Sequence, residues 1–293
     1  MYKQIMVSAI SMKPVKWDKA RNVAKLTAFV KRAARRGSDL VVATEGVIEG
    51  YVSAVVKKHR EQARAMLEIA EPVDGPSILH FRNLARSLKV CLCFGFAERL
   101  GMDVYNSAVF IDHRGRICGI YRKHEEPFLS AGGRSPVWHA NRGRRRLRAF
   151  DTPLGRCGIM ICADRWYSWI ARTLVLDGAR FLLVPTFGSK ERPQNQTVLA
   201  RARENGVPIA QANTGANLLI SRGEVVAYQW GVDRITTAPI DVPEPPSPKA
   251  ARRYERDYLR RRETEKWQWL VEAKRVFPPP GARIGAGKSG RCF

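Results

Sequence analysis

The sequence has no apolar run long enough to cross a membrane and no cysteine spacing typical of a metal site. A membrane span needs roughly 18 apolar residues, and the run in MYKQIMVSAI is also too short for the hydrophobic region of a signal peptide. The six cysteines form no CxxC pair and no Cys/His cluster with zinc spacing. We therefore expect a cytoplasmic protein that has no membrane segment and needs no metal or organic cofactor.

Acidic residues are scarce, with 27 Asp and Glu against 51 Lys and Arg, which gives a net charge of +24. A charge of this size favours an anionic partner. The basic residues are nevertheless spread along the chain, and the dense run at 252–262 alternates with acidic residues. No nucleic-acid-binding motif is present. A nucleic-acid partner is therefore not expected, although a nucleic-acid or anionic-surface binder on a hydrolase-like scaffold is kept as the alternative class of function.

Short apolar runs rich in β-branched residues alternate with amphipathic segments, which is typical of an α/β fold. Strands are predicted at 3–10, 39–44, 90–98, 106–112, 119–122, 158–161, 181–184, 208–212, 218–221 and 225–229. Helices are predicted at 17–36, 56–69, 77–89, 164–177 and 194–205. We expect one large domain over 1–241, a proline-rich linker with a charged helix over 242–276, and a flexible tail over 277–293.

Three chemically useful side chains follow predicted strands. Glu45 ends the second strand, Lys123 follows the hairpin strand, and Cys162 follows the run at 158–161. Strand ends of an α/β sheet are where catalytic groups collect. Asp164 is predicted to cap the next helix, whose N-terminus would favour the thiolate of Cys162. The alternatives are a surface carboxylate, a surface ion pair and a buried structural cysteine.

Five segments in order resemble the nitrilase superfamily of carbon–nitrogen hydrolases, over roughly residues 3–241. They are LVVATEGVIEGY, YNSAVFIDHRGRICGIYRKHE, DTPLGRCGIMICADRW, DGARFLLVPT and RARENGVPIAQANTG. The resemblance implies a four-layer αββα sandwich of two mixed sheets with outer helices. It also implies a centre formed by Glu45, Lys123 and Cys162, with a second acid. Glu126 is the candidate for that acid, and Glu125 is its rival.

The same resemblance implies how a substrate would be held. The backbone N–H of Ala163 would help Lys123 to stabilise an oxyanion, and Tyr51, Trp166 and Tyr167 would line the pocket, unless they are simply core residues. The segment after Cys162 departs from the family pattern, because Tyr-Ser-Trp stands where a Phe-Pro-Glu-like segment is common. The usual substrate preferences are therefore in doubt.

The function implied is an amidase-like hydrolase that cleaves a C–N bond of a small non-peptide amide or N-carbamoyl compound through a thioester on Cys162. A nitrilase that converts a nitrile to acid and ammonia is the nearest alternative. The charged helix predicted at 252–274 carries Trp267 and Trp269, which need a covering surface. We therefore expect a homodimer or higher homo-oligomer.

Overall fold

The computed structural model describes residues 2–56, 59–125, 147–188 and 192–245, together with 247, 249–250, 252–253, 256–257 and 260. Its strands are β1 (Tyr2–Ile10), β2 (Leu40–Val42), β3 (Cys91–Leu100), β4 (Asp103–Ile111), β5 (Ile117–Arg122), β6 (Phe150–Thr152), β7 (Gly155–Ile159), β8 (Phe181–Thr186), β9 (Ile209–Asn213), β10 (Ala216–Ser221), β11 (Glu224–Trp230) and β12 (Ile235–Pro243). Its helices are α1 (Lys19–Ala34), α2 (Ser53–Val56), α3 (Ala63–Ile69), α4 (Pro76–Leu88), α5 (Ser168–Leu176) and α6 (Arg192–Asn205).

The strands form two six-stranded mixed sheets. The first has the order β12-β1-β2-β3-β4-β5 and the second β11-β10-β9-β8-β7-β6. Alternate residues of the strands face the other sheet, as the period of two requires. The shared core includes Val7, Val42 and Cys93 from the first sheet and Ile159 and Leu183 from the second.

Helices cover the outer face of each sheet. The apolar stripe of α1, which includes Leu26 and Phe29, packs with Phe81 of α4 against the outer residues of the first sheet. Ile170 and Leu174 of α5 pack with the buried face of α6 against the second sheet. The predicted αββα sandwich is therefore confirmed.

Two predicted helices are interrupted in the structure. Within the range of the helix predicted at 56–69, the structure has a 3-10 turn at Arg60–Gln62 followed by α3, while α2 ends at Val56, where the predicted helix begins. The helix predicted at 164–177 is a 3-10 turn at Cys162–Trp166 followed by α5. The prediction that Asp164 caps a long helix is therefore wrong.

Strand β12 was not predicted, because Pro239 and Pro243 interrupt the pattern of a strand. It lies at the edge of the first sheet and pairs antiparallel with β1 alone, a position in which a residue without an N–H is tolerated.

The compact unit that contains both sheets runs to Pro245, and residues 246–293 form a second unit. Trp267 and Trp269 lie outside the described residues. No helix in the described part of the chain is both long enough and apolar enough to cross a membrane.

The strand directions gather several chain segments at one end of the sandwich. β2 and β3 are parallel, and β5 runs in the same direction because two antiparallel steps separate it from β3. In the second sheet β7 and β8 are parallel. The segments that follow β2, β5, β7 and β8 carry Glu45, Lys123, Cys162 and Phe187, and contacts between them join the two sheets.

Candidate active site

The Glu45 carboxylate lies at the centre of this end of the sandwich and is fully buried. Its Oε1 accepts hydrogen bonds from Lys123 Nζ at 2.8 Å and from Asn106 Nδ2 at 2.7 Å. Its Oε2 accepts from the backbone N–H of Phe187 at 2.9 Å. Three donors from β4, the end of β5 and the segment after β8 therefore hold one carboxylate, so its orientation is fixed by both sheets.

Lys123 is the cation of this pair, and its side chain is 1% exposed. It follows β5 directly, and its backbone N–H donates to Asn106 O, which continues the strand pairing beyond Arg122. Desolvation of a buried ion pair is costly, and removing either partner destabilises the protein because the other charge is left buried without compensation. The close approach of the Glu45 backbone to β3 depends on Gly95, where a Cβ atom would lie 2.6 Å from Glu45 Cα.

Cys162 begins the 3-10 turn after β7 and has a left-handed backbone, with φ of +48°. A non-glycine residue in this region carries strain, which is found most often at functional sites. Its Sγ lies beside Gly188, where a Cβ atom would be 3.3 Å away. Burial, and then the negative charge of Glu45, raise the pKa of the Cys162 thiol to about 12. The predicted thiolate stabilisation is not found, since a five-residue 3-10 turn offers little helix dipole.

Asp164 fixes this turn by a different interaction from the predicted cap. Its Oδ2 accepts from the Ile161 backbone N–H at 2.9 Å and from the Tyr121 hydroxyl at 2.8 Å. Its Oδ1 accepts from the backbone N–H of Glu125 at 2.8 Å. Burial raises the pKa of Asp164 to about 6, and nearby Lys123 opposes the rise. One side chain thus ties the Cys162 turn to β5 and to the segment that carries Lys123.

Arg165 places a second buried cation near the thiol. It is 1% exposed, and its Nη1 donates to Gln211 Oε1 at 2.7 Å. Burial lowers the pKa of this guanidinium, while the charges of Cys162 and Glu45 raise it. The sequence places Arg165 in the segment 165–169, which is expected to influence substrate identity, but it does not predict that the guanidinium is buried.

A second buried carboxyl group, that of Glu49, lies in the loop that carries Glu45. Its Oε2 accepts from the Ala97 backbone N–H at 3.0 Å, whereas its Oε1 is buried and has no hydrogen-bond partner among the described residues. Burial is the main reason that the pKa of Glu49 rises to about 7, and the charge of Glu45 adds to it. The four-residue spacing between Glu45 and Glu49 does not predict that their side chains lie close together, because a loop has no regular periodicity.

The remaining predicted site residues are placed as follows. The Tyr51 ring stacks on that of Phe187, with centroids 4.4 Å apart. Ala163 is fully buried, whereas Trp166 and Tyr167 are 43% and 37% exposed. Glu126 lies outside the described residues. Glu125, its rival, is half-buried, and its carboxylate lies 3.7 Å from His124 Nδ1.

No group of His, Cys, Asp and Glu side chains within the described ranges has the geometry of a metal site. The polar groups that the structure brings together are a thiol, a carboxylate and an ammonium group, with a guanidinium nearby. Such a set can supply a nucleophile, a proton acceptor and positive charge for an oxyanion. Groups of these types are chemically suited to acyl transfer by a thiol.

The fold is shared with solved structures. Nit3 of Saccharomyces cerevisiae, a member of branch 10 of the nitrilase superfamily, superposes with a TM-score of 0.69 at 19% identity over 87% of this chain and 94% of its own. At this identity the likeness shows the fold alone. It agrees with the two-sheet sandwich described above.

Sequence comparisons identify the family. The carbon–nitrogen hydrolase model matches residues 6–235. An N-carbamoylputrescine amidase of Solanum lycopersicum is 30% identical over 203 residues, which cover 69% of this chain and 64% of that protein. A citrullinase of Francisella tularensis is 27% identical over 230 residues, or 75% of this chain and 77% of its own. The chain belongs to the carbon–nitrogen hydrolase family, and the predicted nitrilase-superfamily membership is confirmed.

Proposed function

We propose that the protein hydrolyses a C–N bond of a small non-peptide amide or N-carbamoyl compound through a thioester on Cys162. The observation that carries the proposal is the meeting of Glu45, Lys123 and Cys162 at one end of the sandwich. The names of the tomato and Francisella relatives, an N-carbamoylputrescine amidase and a citrullinase, favour a carbamoyl substrate.

The raised pKa of Cys162 decides how the first step would proceed. With a pKa of about 12 the thiol is protonated at neutral pH, so a base must take its proton as the sulfur attacks the carbonyl carbon. Glu45 is the base in this mechanism because its carboxylate is buried beside the thiol. Its three hydrogen-bond donors fix its position, and they leave proton acceptance to its remaining lone pairs.

The attack forms an S–C bond and puts negative charge on the former carbonyl oxygen. Lys123, aided by the backbone N–H of Ala163, would stabilise this charge. Glu45 then gives its proton to the leaving nitrogen as the C–N bond breaks. Glu45 next takes a proton from a water molecule, whose oxygen attacks the thioester carbon. As the C–S bond breaks, Glu45 gives that proton to the sulfur. Glu126 is proposed to orient the substrate, and Tyr51, Trp166 and Tyr167 to contact it.

The test is ammonia release from a panel of simple amides, N-carbamoyl amines, N-carbamoyl amino acids and nitriles. Cys162→Ala is expected to abolish turnover. Cys118→Ala is the matched control, because this half-buried thiol lies near the start of β5, at the opposite end of the strand from Lys123. Intact-mass measurement should detect an acyl adduct on the wild type alone. Turnover that persists in Cys162→Ala would contradict the mechanism, and turnover of nitriles alone would identify the alternative reaction.

The proposal includes a homodimer or higher homo-oligomer. Its basis is the sequence, because Trp267 and Trp269 need a covering surface. Light scattering at micromolar protein should give at least twice the mass of one chain. A monomer whose tryptophan fluorescence shows both residues to be buried would contradict it.

A further inference from the structure

The outer helical layer of the first sheet ends in a group of basic residues that the mechanism does not use. Helices α1 and α4 both run opposite to the parallel strands β2 and β3, so their C-termini lie side by side. Thr27 of α1 and His80 of α4 are hydrogen-bonded at 2.8 Å. The β4–β5 turn lies at the same end, where the backbone of Gly115 contacts α4.

We call this region the basic corner. It contains nine basic side chains from three chain segments: Lys31, Arg32, Arg35, Arg36, Arg82, Arg86, Lys89, Arg114 and Arg116. Neither α1 nor α4 contains an acidic residue. The acidic residues nearest in sequence are Asp39, whose carboxylate accepts from the Met6 N–H, and Asp112, which is buried. Positive charge therefore accumulates here without equal compensation.

Intramolecular contacts account for only part of the corner. Arg116 pairs with Asp112 at 3.0 Å, and Arg82 and Arg36 donate to backbone carbonyls. Basic residues in a last helical turn also stabilise the helix dipole. The helix dipole accounts for Arg35 and Lys89, the C-cap residues of α1 and α4. Neither explanation covers Arg114, which is exposed and forms no ion pair with a carboxylate of the described residues.

We propose that the basic corner binds the phosphate backbone of a nucleic-acid duplex. Seven of its nine basic side chains are arginines, whose planar guanidinium groups match phosphate oxygens in a bidentate manner. An anionic membrane is the less suitable partner, because Leu79 of α4 is the one exposed large apolar side chain among the described residues of α1, α4 and the β4–β5 turn. The sequence did not indicate this site, since the nine residues come from segments separated by up to 85 positions, from Lys31 to Arg116.

The corner is separate from the candidate active site. Asp39 and Leu40 begin β2 near the corner, whereas Glu45 follows the opposite end of the same strand. Substitutions in the corner should therefore leave amide hydrolysis unchanged. The duplex-binding and hydrolytic proposals can fail independently of each other.

The experiment measures fluorescence anisotropy of a short labelled RNA duplex between about 50 and 200 mM salt. The test variant is Arg35→Gln/Arg86→Gln/Arg114→Gln, with one change in each segment. The control is Arg252→Gln/Arg256→Gln/Arg260→Gln, which removes the same charge from exposed residues of the second unit. The test variant should bind at least tenfold more weakly, with a salt slope smaller by about two to three. The control should change affinity less than twofold.

A lysine version of the test variant keeps the charge, and it should retain the wild-type salt slope. Equal losses in the test and control variants would show that only net charge matters, and would overturn the proposal. Binding of phosphatidylserine vesicles without binding of the duplex would also overturn it, as would a lysine version that behaves like the glutamine version.

Discussion

Glu49→Gln should make the protein more resistant to unfolding as the pH rises. Glu49 is 1% exposed, and only one of its carboxylate oxygens has a hydrogen-bond partner among the described residues. Its pKa is about 7 in the folded protein against 4.5 for an unperturbed glutamate. Below pH 4.5 the group is protonated in both states and contributes nothing. Between the two values the unfolded chain ionises while the folded one keeps its proton, so stability falls as pH rises.

The size of the effect follows from the two pKa values. One pKa unit corresponds to about 1.4 kcal/mol, so ionisation of Glu49 costs the folded protein about 3 kcal/mol above pH 7. Most of this, about 2–3 kcal/mol, develops between pH 5 and pH 8. A glutamine does not titrate, and its amide oxygen can still accept from the Ala97 N–H. The cost of burying its NH2 group is the same at every pH and cancels when the two pH values are compared.

The assay is urea denaturation of the wild type and Glu49→Gln at pH 5 and pH 8. The difference in unfolding free energy, variant minus wild type, should rise by about 2–3 kcal/mol between them. Glu61→Gln is the control, because its side chain is 72% exposed and should give no such rise. Asp164 titrates in both proteins and cancels. A difference for Glu49→Gln that stays within about 0.5 kcal/mol would refute the reasoning.

Three further substitutions test the buried polar groups. Lys123→Gln should lower kcat/KM for the best amide by about 10²–10³-fold, in variants shown by circular dichroism to be folded; an unchanged kcat/KM would exclude Lys123 from oxyanion stabilisation. Asp164→Asn should lower the unfolding free energy at pH 8 by about 1–3 kcal/mol, because the amide NH2 of asparagine must face one of the three N–H or O–H donors that now bind the carboxylate. An unfolding free energy equal to that of the wild type in urea denaturation would contradict this. Arg122→Met should lower the unfolding free energy by about 3–5 kcal/mol, because it leaves the Ser107 hydroxyl as the one side-chain donor to the buried Glu98 carboxylate among the described residues. The double variant Arg122→Met/Glu98→Gln should recover part of this unfolding free energy.

The α/β class and the positions of three residues of the candidate site could be predicted from local pattern, whereas the four-layer sandwich was implied by the family resemblance. Glu45, Lys123 and Cys162 each follow a short apolar run, and parallel strands bring such positions to one edge. Asn106 and Glu49 could not be predicted in this way. Asn106 reaches Glu45 from a position 61 residues away, and Glu49 accepts from an N–H 48 residues away. The residues adjacent to Asn106 and Glu49 in sequence do not predict those contacts.

Cys162 shows why a correct placement can still give the wrong chemistry. The strand–turn–helix pattern located the residue, and the dipole of the expected helix predicted a stabilised thiolate. In the structure the Asp164 carboxylate turns back to the Ile161 N–H, and the chain after β7 forms a short 3-10 turn with Cys162 at φ of +48°. The helix then begins only at Ser168, too far along to act on the sulfur. Burial decides the thiol pKa instead. In the proposed mechanism the reactivity of Cys162 therefore depends on proton transfer to Glu45 during attack, and on the Lys123 and Asn106 contacts that hold that carboxylate in place.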